Sequence, residues 1–139
     1  MATATSLTLR ALLSQAAARA ALDRSAPITA GLTPQAKALA AAAVARTAKS
    51  VTLLVVPTDK DVEQLTADAR FFFGALEGGS EAAVESAVLP LPSLQVDPYR
   101  GMTPHFRVAA ARGRALHAAA TGTARLIINP RQDHHKIEW

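Results

Sequence analysis

Apolar positions along the chain recur at two spacings. Leu9, Leu12 and Leu13 fall on one side of a helix predicted over Leu7–Ala21, and Asp23–Ala26 breaks it. Ile28 and its neighbours read as a short strand before Gly31. Pro34 suits a first helical turn, where a missing N–H costs nothing, and the alanine-rich run Gln35–Ala48 continues that helix. Val51–Val56 (VTLLVV) is a continuous apolar run of strand length and β-branched content, the pattern of a parallel strand buried on both faces. Thr58 offers a helix N-cap, with Asp59 and Asp61 at the positive end of the dipole. Val62, Leu65, Ala69, Phe72 and Phe73 then form one stripe, which predicts a helix over Asp59–Phe73 closed by Gly74 and by a flexible turn at Gly78–Gly79.

The second half repeats the alternation. Ala87–Leu91 reads as a weaker strand, and Pro90, Pro92 and Pro98 hold the following segment extended. Thr103–Pro104 predicts a cap and first turn for a helix to about Ala120, with Phe106, Ala110, Gly113, Leu116, His117 and Ala120 on one face and Arg107 and Arg114 together on its flank. Gly122 ends it, and Arg125–Asn129 is another short buried strand. Helices alternating with short apolar strands predict an α/β fold, a mostly parallel sheet with flanking helices. The predicted organisation is an N-terminal helical segment 1–26, a main unit 27–129 and a divergent, disordered tail 130–139.

Composition narrows the picture. The 139 residues suit one domain, too few for a two-domain motor ATPase. Alanine supplies 32 of them and aromatics 4%, so a thin core is expected that exposes apolar surface where neighbouring elements are lacking. There is no cysteine, which excludes disulfides and thiolate metal sites. The longest apolar stretch, Ala38–Ala45, is far short of a membrane span, and the N-terminus is a poor signal peptide, so a cytoplasmic protein without membrane partners is expected. The net charge of +4 is unevenly spread: residues 57–97 hold eight acids against Lys60 and Arg70, whereas residues 98–132 hold six arginines and no acid. That window is either a phosphate-facing surface or a solvated helix face.

Four segments could carry chemistry. Ala30–Ala38 occupies the strand-to-helix context of a phosphate-binding loop, G-x-x-x-x-G-K-[ST]. Gly31 stands one place late, Thr33 lies within the loop and Lys37 matches, but Ala36 replaces the second glycine and Ala38 the magnesium-binding hydroxyl. On the residues alone an ordinary strand-to-helix turn is favoured over a phosphate loop, and nucleotide hydrolysis is not expected. Thr58, after the strand Val51–Val56, either holds a DNA phosphate at a helix N-terminus or simply caps the helix. In the loop Val96–Phe106, Tyr99 could stack on a base and Arg100 pair with a phosphate; equally, Tyr99 and Phe106 could anchor the core while Arg100 pairs with Asp97. Asp133-His134-His135 has two possible metal ligands side by side, but adjacent side chains seldom converge on one ion, and an incidental tail is expected. No catalytic residues and no resident metal are predicted.

The segments ITAGLTPQAKALAAAAVAR, VTLLVVPTDKDVEQLTADARFFF and VLPLPSLQVDPYRGMTPHFRVAAARGRALHAAATGTARLII resemble the start of bacterial transcription-repair coupling factors. Within that family they are similar to the first subdomain of the N-terminal module, itself similar to the excision-repair protein UvrB. The likeness runs from Pro27 to Ile128, with PSLQVDPYRGMTPH and PTDKDVEQL its most specific parts. It implies a degenerate, helicase-type nucleotide fold in which Lys37 is a relic of the ATP lysine, while ATP and magnesium belong to a separate motor. It also implies UvrA and RNA polymerase as partners of the full-length protein and DNA contact at Tyr99 and Arg100; the residues themselves add Thr58, at a helix N-terminus, and Arg107 and Arg114, in the acid-free window, as DNA-contact candidates. Beyond RLII the chain departs from the family and reads NPRQDHHKIEW, which suggests a truncated product or fragment. Two other readings stand beside this one: an ATP-dependent helicase fragment that still binds nucleotide, and a small basic DNA-binding module.

Overall fold

The computed structural model describes residues 8–20, 31–94, 101 and 103–131. Five helices and three strands follow in the order α1 (Leu9–Ala20), α2 (Pro34–Thr47), β1 (Thr52–Val56), α3 (Asp59–Glu77), α4 (Glu81–Ala87), β2 (Val88–Pro90), α5 (Phe106–Thr121) and β3 (Leu126–Pro130). The strands form one parallel sheet in the order β1-β3-β2, with helices on both faces, which is an α/β fold. The last strand in sequence is therefore the middle one in space. Leu126 lies level with Thr52 on one side and Val88 on the other. The strand expected around Ile28 falls outside the described residues.

One face of the sheet carries the larger core. Val56, Val88, Leu126 and Ile128 are buried there against α2 and α3, with Leu54 packed beside them. Helix α2 contributes only alanines to its buried side, Ala38, Ala40, Ala41, Ala42 and Ala45. Side chains this small let α2 lie close to α3, which supplies the volume through Val62, Leu65, Phe73 and Leu76. Helix α1 joins the same core through Ala17 and Leu13. Its outer leucines do not: Leu9 and Leu12 are exposed, so the predicted leucine side is only partly the buried one.

On the opposite face a smaller cluster joins Leu89 and Ile127 to Ala115, Ala118 and Ala124. Here two expectations are corrected. The face of α5 bearing Phe106, Ala110, Gly113, Leu116, His117 and Ala120 points outward, with Phe106 71% and Leu116 55% exposed. The helix docks instead through its alanine side, because small residues allow the closest approach to the sheet. Helix α5 covers β2, and β1 stays bare on that face: Leu53 is 57% and Val55 56% exposed. Strand β1 is thus an edge strand among the described ones and is buried on one face, which corrects the expectation of burial on both.

Three boundaries also differ from the pattern. Helix α3 runs through Gly74 to Glu77 and ends at Gly78, whose φ of +74° is the left-handed cap conformation. Gly74 serves packing: a Cβ there would stand 3.3 Å from Val84 Cγ2 of α4. That α4 follows immediately, capped by Ser80, was not anticipated, since Gly78–Gly79 reads as a flexible turn. Helix α5 is capped by His105, whose Nδ1 accepts from the Arg107 N–H at 3.3 Å, so Thr103–Pro104 precedes the helix and does not start it.

If β3 is the strand the fold is assembled on, Ile128→Ala should lower the unfolding free energy by about 2–5 kcal/mol. Leu53→Ala on the bare face should change it by about 0.5 kcal/mol or less. Urea unfolding of the two variants separates them, and equal losses would contradict the placement.

Candidate functional site

Parallel sheets bind ligands beyond the carboxyl ends of their strands. Here that end gathers the N-terminus of α2, the turn Pro57–Thr58, the N-terminus of α3 and the segment after β2. A groove of about 260 Å³ opens among them, lined by Pro34, Lys37, Val56, Pro57, Asp61 and Gln64 among others. Lys37 and the β1–α3 turn, predicted separately, are thus brought together.

The polar groups at this end mostly bond to one another. The Thr33 hydroxyl accepts from the Ala36 N–H at 3.3 Å, and the Thr33 carbonyl from the Lys37 N–H at 2.9 Å. Pro34 has no N–H, so of the four N-terminal donors of α2 only that of Gln35 is left for a phosphate. Gly31 has a φ of +78° but stands at the rim, exposed. Ala38, the position of the missing hydroxyl, is fully buried in the core. A threonine there would meet packed neighbours.

Thr58 resolves to the capping reading. Its hydroxyl donates to Asp61 Oδ2 at 2.7 Å and accepts from the Asp61 N–H at 3.2 Å, while its own N–H donates to Asp61 Oδ2 at 3.1 Å. This reciprocal capping box leaves the side chain committed. Asp59, read in the sequence only as a dipole partner, does more. Its Oδ1 accepts from the Ser93 N–H at 2.8 Å and its Oδ2 is bonded to the Ser93 hydroxyl, which ties the segment after β2 to the start of α3. Only the pairing order, which sets β1 and β2 on either side of β3, could have disclosed this contact across 34 residues.

The acid-free window is likewise part structure, part surface. Arg112 donates to the Pro92 carbonyl at 2.6 Å. Arg125 reaches the carbonyls of Ala45, Arg46 and Ala48 at 3.1, 2.9 and 3.4 Å, placing a cation at the negative end of α2. Arg107 and Arg114 are exposed on α5, and Arg107 lies 5.9 Å from the centre of the Phe106 ring. Tyr99 and Arg100 fall outside the described residues, as do Asp97 and Asp133-His134-His135. Among the described residues no group of three histidine or acidic side chains could hold a metal ion, and no helix is long and apolar enough to cross a membrane.

The sequence missed a second groove of about 670 Å³ between α4, β2 and α5, into which Arg70, Glu85, Arg114 and His117 project. Its walls lie 47 residues apart in the chain, between Arg70 and His117, and share no motif.

No family model, no curated protein and no solved structure matches the chain.

The committed groups should show in stability. Thr58→Ala should cost about 1 kcal/mol through the lost cap, and Asp59→Ala about 1–3 kcal/mol through the unpaired Ser93 donors. Hydrogen exchange of the Ser93 amide should accelerate in the Asp59 variant alone; unchanged exchange would show that the Asp59–Ser93 tie does not hold in solution.

Proposed function

We propose that this chain is a non-catalytic, degenerate nucleotide-fold module of a transcription-repair coupling factor, acting in transcription-coupled nucleotide excision repair. The observation that carries this reading is the ligand end of the sheet. Lys37 stands beside the strand-to-turn junction where an ATP lysine belongs, yet of the first-turn N–H groups of α2 all but that of Gln35 are bonded to Thr33 or missing, and the hydroxyl position is a buried alanine. A module with this architecture keeps the shape of a nucleotide-binding domain while its motor lies elsewhere. In the full protein it would help present the UvrA-binding surface and restrain the translocase, in the cytoplasm, alongside RNA polymerase. ATP and magnesium would serve that motor and not this chain. The same bonded loop weighs against the helicase-fragment reading.

Two measurements test it. Titration calorimetry should give no micromolar ATP binding, and Lys37→Ala should leave the trace unchanged; micromolar binding to the unaltered chain would favour the helicase fragment. Added in trans to a coupling factor stripped of its N-terminal module, the chain should depress the motor's ATPase rate in proportion to its concentration. An unaffected rate would remove the restraining role.

A second reading, non-specific DNA contact, is favoured by Arg107 and Arg114, which share an exposed flank of α5 with no ion pair formed among the described residues. Two phosphate contacts give a slope of about −2 in log affinity against log salt. Gel shifts at low salt should show that slope and lose the complex on joint Arg107→Glu and Arg114→Glu reversal. Binding that survives the reversal would assign the contact elsewhere.

A further inference from the structure

The groove between α4, β2 and α5 has no part in the reading above. Its volume of about 670 Å³ lies inside the range of small-ligand sites, roughly 300–1,000 Å³. Apolar groups, Leu89, Pro90, Ala111 and Ala118, line part of it, and the charged Arg70, Glu85 and Arg114 line it as well. From α3 comes Arg70, whose Nε donates to the Val88 carbonyl at 3.0 Å. That bond fixes the plane of the guanidinium, and its Nη1 lies 3.9 Å from Glu85 Oε1, a loose pairing that leaves donors over. From α5 comes Arg114, which forms no ion pair among the described residues, and one turn along stands His117.

The charge of the lining decides what class of ligand suits it. Two guanidiniums meet one carboxylate, so the groove is cationic before His117 is counted. The strand edge at its base excludes one kind of occupant. The Val88 N–H is bonded to Val84, its carbonyl to Arg70, and Pro90 has no N–H, so a peptide cannot add here as a further strand. What remains is a compact anion with an apolar body. Arginine forks match phosphate oxygens in pairs, and a doubly charged phosphate is best met by two of them.

We propose that this groove binds a phosphomonoester carried on an apolar body, the phosphate held by Arg114 and Arg70 and the body against Pro90 and Ala111. Such a group occurs on a free nucleoside monophosphate and on the 5′-phosphorylated end of a DNA strand. Arg107 lies outside the groove, so it distinguishes this site from the general DNA contact of the α5 flank, with which the groove shares Arg114.

Amide chemical-shift titration of the full chain with adenosine monophosphate tests the proposal. The Leu89, Ala111, Ala118 and Thr123 amides should move and saturate; adenosine alone should leave them in place. Arg114→Ala should weaken binding by about tenfold or more, the loss of one charge-assisted contact, and Arg107→Ala should change it less than about twofold. Both positions are exposed, so the fold should survive, and unshifted amides elsewhere would verify that. A 5′-phosphorylated trinucleotide that displaces the monophosphate, where its unphosphorylated form does not, would assign the natural ligand to a DNA end; displacement by neither would assign it to the free nucleotide. Still groove amides, an equal response to adenosine, or indifference to Arg114→Ala would overturn the site.

Discussion

The pairing of Leu126–Pro130 between the other two strands is the constraint on which the rest of this fold depends. Among the described strands neither β1 nor β2 pairs with the other, and each is held in the sheet through β3. The strand is buried on both sides, Leu126 and Ile128 against α2 and α3 and Ile127 against α5. It is also the last element described, so contacts that close the core span nearly the whole chain. Arg125, just before it, clasps the end of α2 about eighty residues away, and the Arg131 N–H after it reaches the Val56 carbonyl. Because the core closes through pairings this distant in sequence, local contacts alone contribute little of its stability.

Around this strand the protein uses alanine where other domains use leucine. The buried sides of α2 and α5 are made of alanines, which contribute little area each but allow close helix approach. Volume is concentrated in a few residues, with Leu76, Leu126, Ile128, Val62 and Val88 the largest that are fully buried. The consequence shows on the second face, where α5 is too narrow a cover for three strands and Leu53 and Val55 remain open.

The same economy governs polar groups. At the carboxyl end of the sheet Thr33, Thr58, Asp59 and Asp61 satisfy the chain's own donors with structural bonds. Half-buried arginines do the work of caps: Arg112 on Pro92, Arg125 on α2, Arg70 on the outer edge of β2. Cationic charge left over collects on α5, where the helix brings Arg107 and Arg114 to one flank and turns only Arg114 into the groove.

By itself the sequence determined the elements whose signals are local. The 3.6-residue stripe of α3, the Thr58 cap, proline at the first turn of α2 and the β-branched runs of β1 and β3 each rest on neighbours within a few residues, and all are present. It also determined that alanines, Ala36 and Ala38, stand where a phosphate-binding pattern needs a glycine and a hydroxyl, because those positions are read directly. Tertiary structure decided which faces are covered. An apolar run such as VTLLVV has one appearance at the centre of a sheet and at its edge, and strand order is set by packing between distant segments. The outward turn of Phe106 and Leu116 was hidden for a related reason: hydrophobicity pointed one way, while close approach to the sheet required alanine. The Asp59–Ser93 tie, the Arg125 clasp and the Arg70–Arg114 groove join residues from 34 to 80 positions apart, and no spacing within one element encodes a meeting that only the chain's path in space brings about.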